Sequence, residues 1–147
     1  MPEDQELKAR RRADYSSDND QYAHINNSVY YHLFDSIVNT YLIDHCGLKP
    51  PDSPLIGLVV SSFCNFFAPL SFPGVLDLGL RVNKLGKSSV TYEVGVFEDG
   101  KEYPSAIGGY THVFVENQSR KSATIDDRTR VGLKKLLQVP ANPRAKL

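Results

Sequence analysis

Tyr30, Leu33, Phe34, Ile37, Val38, Tyr41 and Leu42 recur at three- and four-residue spacing, the pattern of one long helix with a wide apolar face. Val29 widens that face further. Gly47 provides a C-terminal stop, and Pro50, Pro51 and Pro54 forbid continuation. The spacing predicts a helix from about Asn27 to Cys46. A face this wide must be covered, and the rest of the chain offers strands to cover it.

Beyond the prolines the period changes to two. Leu55 to Phe67 is a long β-rich run interrupted by Ser61, Ser62 and Asn65. Leu76, Leu78, Leu80 and Val82 alternate with Asp77, Gly79, Arg81 and Asn83, a half-buried strand. Val90, Tyr92, Val94 and Val96 repeat the alternation after a Leu85-Gly86-Lys87 turn, which predicts a hairpin. Asp99-Gly100 marks a further turn, and Ala106 to Val115 forms a last strand in which Gly108 and Gly109 permit a bulge or a close backbone approach. Upstream of the long helix, residues 8–15 read as a short edge strand. Asp126 and Asp127 open a terminal helix whose narrow apolar face is Leu133, Leu136 and Leu137. The expected architecture is α+β, one domain over residues 1–147, with 1–7 and 139–147 flexible.

Seventeen basic and seventeen acidic residues give a formal net charge of zero, which argues against broad attraction to nucleic acid or to an anionic membrane. The one dense basic run, Lys8, Arg10, Arg11 and Arg12, reads as a solvated strand end. Cys46 and Cys64 lie in no metal-type spacing and are expected as two buried thiols. His24, His32, His45 and His112 are scattered, so no metal site is expected. No Gly-rich phosphate loop opens a helix, and no G-x-S-x-G surrounds Ser61 or Ser62. No apolar run reaches membrane-spanning length. Glu3, Asp4 and Glu6 without an apolar stretch disfavour a secretory signal, so the expected compartment is the cytoplasm, with the mitochondrial matrix as the alternative.

The stretch Ser17 to Tyr30, SDNDQYAHINNSVY, is where chemistry can start. Asp18 and Asp20 stand just upstream of Asn26 and Asn27, either of which can cap the helix. A helix N-terminus presents unpaired N–H groups and a partial positive charge, and a carboxylate beside it suits chemistry on a carbonyl. The plainer reading is that the aspartates are turn residues and the asparagines only caps.

The D-x-D-x-x-x-H-x-N-N pattern of Asp18, Asp20, His24, Asn26 and Asn27 resembles that of hot-dog fold thioesterases of the 4-hydroxybenzoyl-CoA thioesterase type. LRVNKLGKSSVTYEV is similar to that family's strand-turn-strand, and GGYTHVFVENQSRKSATI to its last strand and the segment after it. The likeness covers roughly residues 15–135. It implies a helix wrapped by a curved, mostly antiparallel sheet of about five strands, and a homodimer or dimer of dimers with active sites at the dimer interface. It also implies Asp20 as the catalytic carboxylate and the Asn27 backbone N–H as the group that polarises the carbonyl. Ser16 stands where many relatives carry Trp, and Ala23 where many carry Gly.

A CoA or carrier-protein thioester would be the substrate, with coenzyme A as part of it and no separate cofactor. Asp20 would attack the carbonyl or act as general base for water. His24 and Asn26 are expected to hold the turn, Ser61 and Ser62 to face the neighbouring subunit's acyl pocket, and Tyr30 to pack in the core or touch the substrate. Lys87, Ser88 and Ser89, around Gly86, are expected to meet the phosphates, as are Lys84, Arg120 and Lys121. Phe63, Phe66, Phe67 and Phe72 favour an apolar acyl group. The competing functions are a non-catalytic acyl-thioester binding module and a hot-dog dehydratase or hydratase.

Overall fold

The long helix packs across the concave face of a five-stranded antiparallel sheet. The computed structural model describes residues 27–50, 52–70 and 74–138, together with the main chain of 7–13. Its elements are β1 (Leu7–Ala13), α1 (Asn27–Cys46), β2 (Leu55–Phe66), β3 (Gly74–Leu85), β4 (Ser89–Glu98), β5 (Ala106–Glu116) and α2 (Asp127–Lys134). Residues 1–6, 14–26 and 139–147 lie outside that description, and with them Asp18, Asp20, His24 and Asn26.

The helix follows its apolar pattern. Val29, Tyr30, Leu33, Phe34, Ile37, Val38, Tyr41 and Leu42 are all buried, and Cys46 ends the stripe. Gly47, at φ +74°, turns the chain out of the helix, and the Leu48 N–H returns to the Leu42 carbonyl. The sheet answers with Leu76, Leu78, Leu80 and Val82 on β3 and Val90, Tyr92, Val94 and Val96 on β4, all buried. Each such side chain contributes about 1.5–3 kcal/mol by leaving water. Residues between them face outward and pair there. Arg81 and Asn83 both donate to the Glu93 carboxylate, and the Thr91 and Thr111 hydroxyls meet at 2.9 Å.

Spatial order departs from chain order. The sheet runs β1-β3-β4-β5-β2, so β2 pairs with β5 rather than with β3, its neighbour in sequence. The reason is edge availability: the hairpin places β4 on one side of β3, and β1 takes the other from Leu7↔Leu80 to Ala13↔Gly74. Only the far side of β5 remains for β2. Past the end of β1, the segment after α2 takes over the β3 edge. There the Val82 N–H donates to the Leu136 carbonyl at 2.9 Å, and the Gln138 N–H to the Val82 carbonyl at 3.0 Å.

α2 starts at an Asp126 cap whose carboxylate accepts from the Thr129 N–H at 3.3 Å. It docks on the C-terminal end of α1, where the buried Tyr41 hydroxyl donates to the Gly132 carbonyl. Leu133 and Leu136 are buried and Leu137 packs partly against the core. No helix among the described residues is long and apolar enough to cross a membrane.

Candidate active site

α1 begins at Asn27, an exposed residue, and its first turn carries no acidic side chain. A helix N-terminus carries a partial positive charge, and here no carboxylate of the first turn offsets it. One turn on, Tyr30 points into the sheet. Its ring meets Phe66 edge to face at 5.0 Å. Burial, and secondarily Cys64, pushes the Tyr30 hydroxyl up to about 12, so it stays neutral. Burial likewise pushes the Cys64 thiol up to about 11, which leaves it a poor nucleophile near neutral pH.

The wall beneath these turns comes from β2 and β5. Register sets Ser62 opposite Tyr110, Cys64 opposite Gly108 and Phe66 opposite Ala106. The aromatic ring of Phe34 fills the space over Gly108, where a Cβ would lie 2.5 Å from it. Ser62, Cys64 and Phe66 alternate onto one face of β2, and Tyr30 meets that face at Phe66. Ser62 is exposed, on the open edge of the sheet.

On the helix side of β4 and β5 lies a polar cluster that the sequence reading did not single out. Tyr110 stacks on His112 at 4.8 Å, and both meet Tyr92 edge to face. The Tyr110 hydroxyl is buried, and its pKa is raised first by burial and then by the nearby Asp35 carboxylate, which faces it as an acceptor. The available signal was the period-two run Gly108, Tyr110, His112, Phe114, which puts all four on the helix side of β5.

The turn bearing Lys87, Ser88 and Ser89 lies elsewhere. The Ser88 carbonyl accepts from Phe114 N–H at 2.7 Å and the Lys87 carbonyl from Ile125 N–H at 2.9 Å, which ties the turn to the end of β5 and the approach to α2. That is the C-terminal end of α1, where a Cβ on Gly132 would lie 2.5 Å from the Cys46 sulfur. A 20-residue helix is ~30 Å long, so within one chain Asn27 and Lys87 stand at opposite ends of it. The structure puts Asn27 and Tyr30 on the first turn of α1 and Ser62 on β2, and a whole helix separates Asn27 from Lys87, Ser88 and Ser89. Among the described residues, no three His, Cys, Asp or Glu side chains converge as metal ligands.

Comparison with known proteins places this geometry. Residues 22–104 match the family model described as the thioesterase superfamily. The PA5185 protein of Pseudomonas aeruginosa strain PAO1 is 43% identical, with a TM-score of 0.87 over 92% of this chain and 94% of that one. The SAV2348 protein of Staphylococcus aureus, solved in complex with CoA, has a TM-score of 0.82 at 12% identity, over 94% of this chain and 89% of that one. A 1,4-dihydroxy-2-naphthoyl-CoA thioesterase from Synechocystis has a TM-score of 0.78 at 15% identity, over 89% of this chain and 97% of that one. At such identities the last two share the fold alone. Among curated proteins nothing matches.

Proposed function

Because the chain belongs to the thioesterase superfamily, we propose that it hydrolyses acyl-CoA or acyl-carrier thioesters to a carboxylic acid and a free thiol. The observation that carries this reading is the start of α1 at Asn27, an exposed residue one turn before Tyr30, whose ring packs against Phe66 of β2. A thioester carbonyl has little resonance stabilisation, so its reactivity turns on stabilising the oxyanion. A single well-aimed donor is worth about 3 kcal/mol in such sites. The Asn27 N–H, helped by the helix dipole, is that donor.

Asp20, seven residues upstream, supplies the carboxylate. As nucleophile it forms a mixed anhydride and expels the thiolate, and water then cleaves the anhydride. As general base it takes a proton from the attacking water, and the tetrahedral intermediate collapses with loss of the thiol. His24 and Asn26 hold the turn that carries it. Tyr30 and Ser62 flank the acyl group, and coenzyme A enters as part of the substrate rather than as a cofactor.

The active unit is a homodimer built on β2, able to associate further as a dimer of dimers. Among the described residues β2 leaves one edge of the sheet unpaired, with Val59 49% and Val60 60% exposed. The opposite edge, β1, carries Lys8, Arg10, Arg11 and Arg12, the kind of charge that discourages strand addition. Antiparallel pairing of two β2 strands reverses one chain against the other. The Asn27 end of one helix then lies toward the Lys87 end of its partner, and Lys87, Ser88 and Ser89 reach the phosphates from across the interface.

Release of free thiol across a panel of acyl-CoAs tests this function. Saturable turnover with at least one acyl group is expected. Tight binding of every thioester without turnover would instead mark a binding module.

A further inference from the structure

The β3–β4 turn is held in an unusual way. Arg130, on α2, directs one guanidinium nitrogen at two successive turn carbonyls, Gly86 at 2.9 Å and Lys87 at 3.0 Å. The Lys87 carbonyl also accepts from the Ile125 N–H at 2.9 Å, which occupies both its lone pairs. Next along, the Ser88 carbonyl accepts from Phe114 N–H, and the Gly86 N–H closes the turn on the Ser89 carbonyl at 2.8 Å.

Peptide planarity converts these bonds into a statement about the other side of the turn. In a trans peptide the C=O of one residue and the N–H of the next point in opposite directions. With the Gly86 and Lys87 carbonyls both drawn to Arg130, the N–H groups of Lys87 and Ser88 point away from α2. Two neighbouring amides on one side form a concavity that favours anions. Lys87 itself is exposed and adds its ammonium to the same turn. The guanidinium meanwhile screens the carbonyl oxygens whose partial negative charge would oppose a phosphate.

We propose that Arg130 is a positioning residue for phosphate binding: it sets the Gly86–Ser88 backbone so that the Lys87 and Ser88 amides receive a phosphate of the CoA moiety. This rests on the thioesterase reading above and deepens its substrate-binding part. Arg130 touches no reacting atom and acts only through the turn.

Calorimetric titration of the full-length protein with CoA and with pantetheine, which lacks phosphates, tests it. In R130Q the dissociation constant for CoA should rise roughly tenfold, as for loss of a charge-assisted bond pair, with that for pantetheine unchanged. R130K should fall between, because an ammonium replaces the charge without the planar fork. An R130Q protein that binds CoA like wild type overturns the proposal, as does one that loses CoA and pantetheine alike. Should R130Q melt below the assay temperature, R130K decides: a two- to threefold loss for CoA alone supports the role, and no loss overturns it. A wild-type protein that binds CoA no better than pantetheine also overturns it. Thiol release from acyl-CoA, measured in parallel, then tells whether thioester hydrolysis itself still stands.

Discussion

His112 on β5 sets its Nδ1 3.3 Å from the Tyr92 hydroxyl on β4, inside a box of rings closed by Tyr110 and Phe114. β2 contributes the last wall. A Cβ at Gly57 would lie 2.7 Å from that same nitrogen, so only a glycine leaves the imidazole its place. His112 is 4% exposed, and burial outweighs the opposing pull of Asp35 to lower its pKa to about 4. The ring is neutral in the native protein.

Acid stability follows from that neutrality. An unfolded histidine titrates near 6.5, so between pH 6.5 and 4 the unfolded chain binds a proton that the native chain refuses. The stabilisation is fully present above pH 6.5 and fades as pH falls toward 4. By pH 4 this residue alone should cost about 3 kcal/mol of unfolding free energy. His112→Asn removes the titration while keeping a polar group near the Nδ1 position, so the difference between variant and wild type should narrow steadily from pH 7 to pH 4. Urea denaturation across that range measures it, and parallel curves for the two proteins would contradict the assignment.

Gly109 presents a second close approach, this time of backbone on backbone. Its φ is +153°, and a Cβ there would lie 2.1 Å from the Tyr92 carbonyl oxygen. Neither strand can yield, because β4 and β5 are fixed by pairing on both sides, at Thr91↔Thr111 and Val94↔Gly108. Gly109→Ala should therefore cost more than about 4 kcal/mol, beyond the ordinary range for a point substitution. Gly100→Ala, at φ +79° but with nothing within 4 Å of the added carbon, is the control and should cost about 1 kcal/mol. Thermal melts of the two variants separate strain alone from strain plus collision.

What was legible in the sequence is what depends on local period. The stripe from Val29 to Leu42 and the alternation from Leu76 to Val96 needed only the geometry of one element, and both emerged with the expected faces buried. Asp99-Gly100 and Leu85-Gly86-Lys87 were readable because turn chemistry is local. The placement of β2 beside β5 was not, since it depends on which edges the other strands leave open. Nor was the distance between Asn27 and Lys87, two members of one expected binding site that a whole helix separates. Arg130 and Gly86 are 44 residues apart and meet through backbone carbonyls, which leave no mark in a side-chain pattern. Asp18 and Asp20 fall outside the described residues and before residue 22, where the family match begins, so their assignment rests on the sequence motif.

The exposed β2 edge makes a prediction about assembly. Val60 is the extra residue at a register shift between Val59 and Ser61, and at 60% exposure it is among the most exposed apolar side chains of the sheet. Val60→Arg puts a charge onto the edge that two chains are proposed to share, while leaving the core untouched. Sedimentation at micromolar concentration should show wild type as a dimer or tetramer and the variant shifted to monomer. Activity should fall with dimer content, because the proposed site takes Asn27 from one chain and Lys87 from the other. A fully active monomer would place the whole site within one chain.

Asp20 carries the central chemical prediction. The resemblance of the Asp18–Asn27 stretch assigns it the carboxylate of the proposed reaction, and it precedes the proposed oxyanion donor at Asn27 by seven residues. Asp20→Asn preserves size and some hydrogen bonding, yet removes the nucleophile and the base together. The rate kcat for thioester hydrolysis should fall roughly 10²- to 10⁴-fold, the scale of losing a general base. KM should change far less, since the carboxylate acts on the reacting carbonyl rather than on the CoA moiety. Asp18→Asn is the matched control, two residues away with the same change in charge, and its effect should be milder because Asp18 is assigned to the turn. Melting temperatures for both variants should stay near wild type, so that lost turnover reports chemistry rather than folding. Hydrolysis at the wild-type rate by Asp20→Asn would move the catalytic role to another residue. In that case the buried Tyr110 hydroxyl and the nearby Asp35 carboxylate become the next polar groups to test.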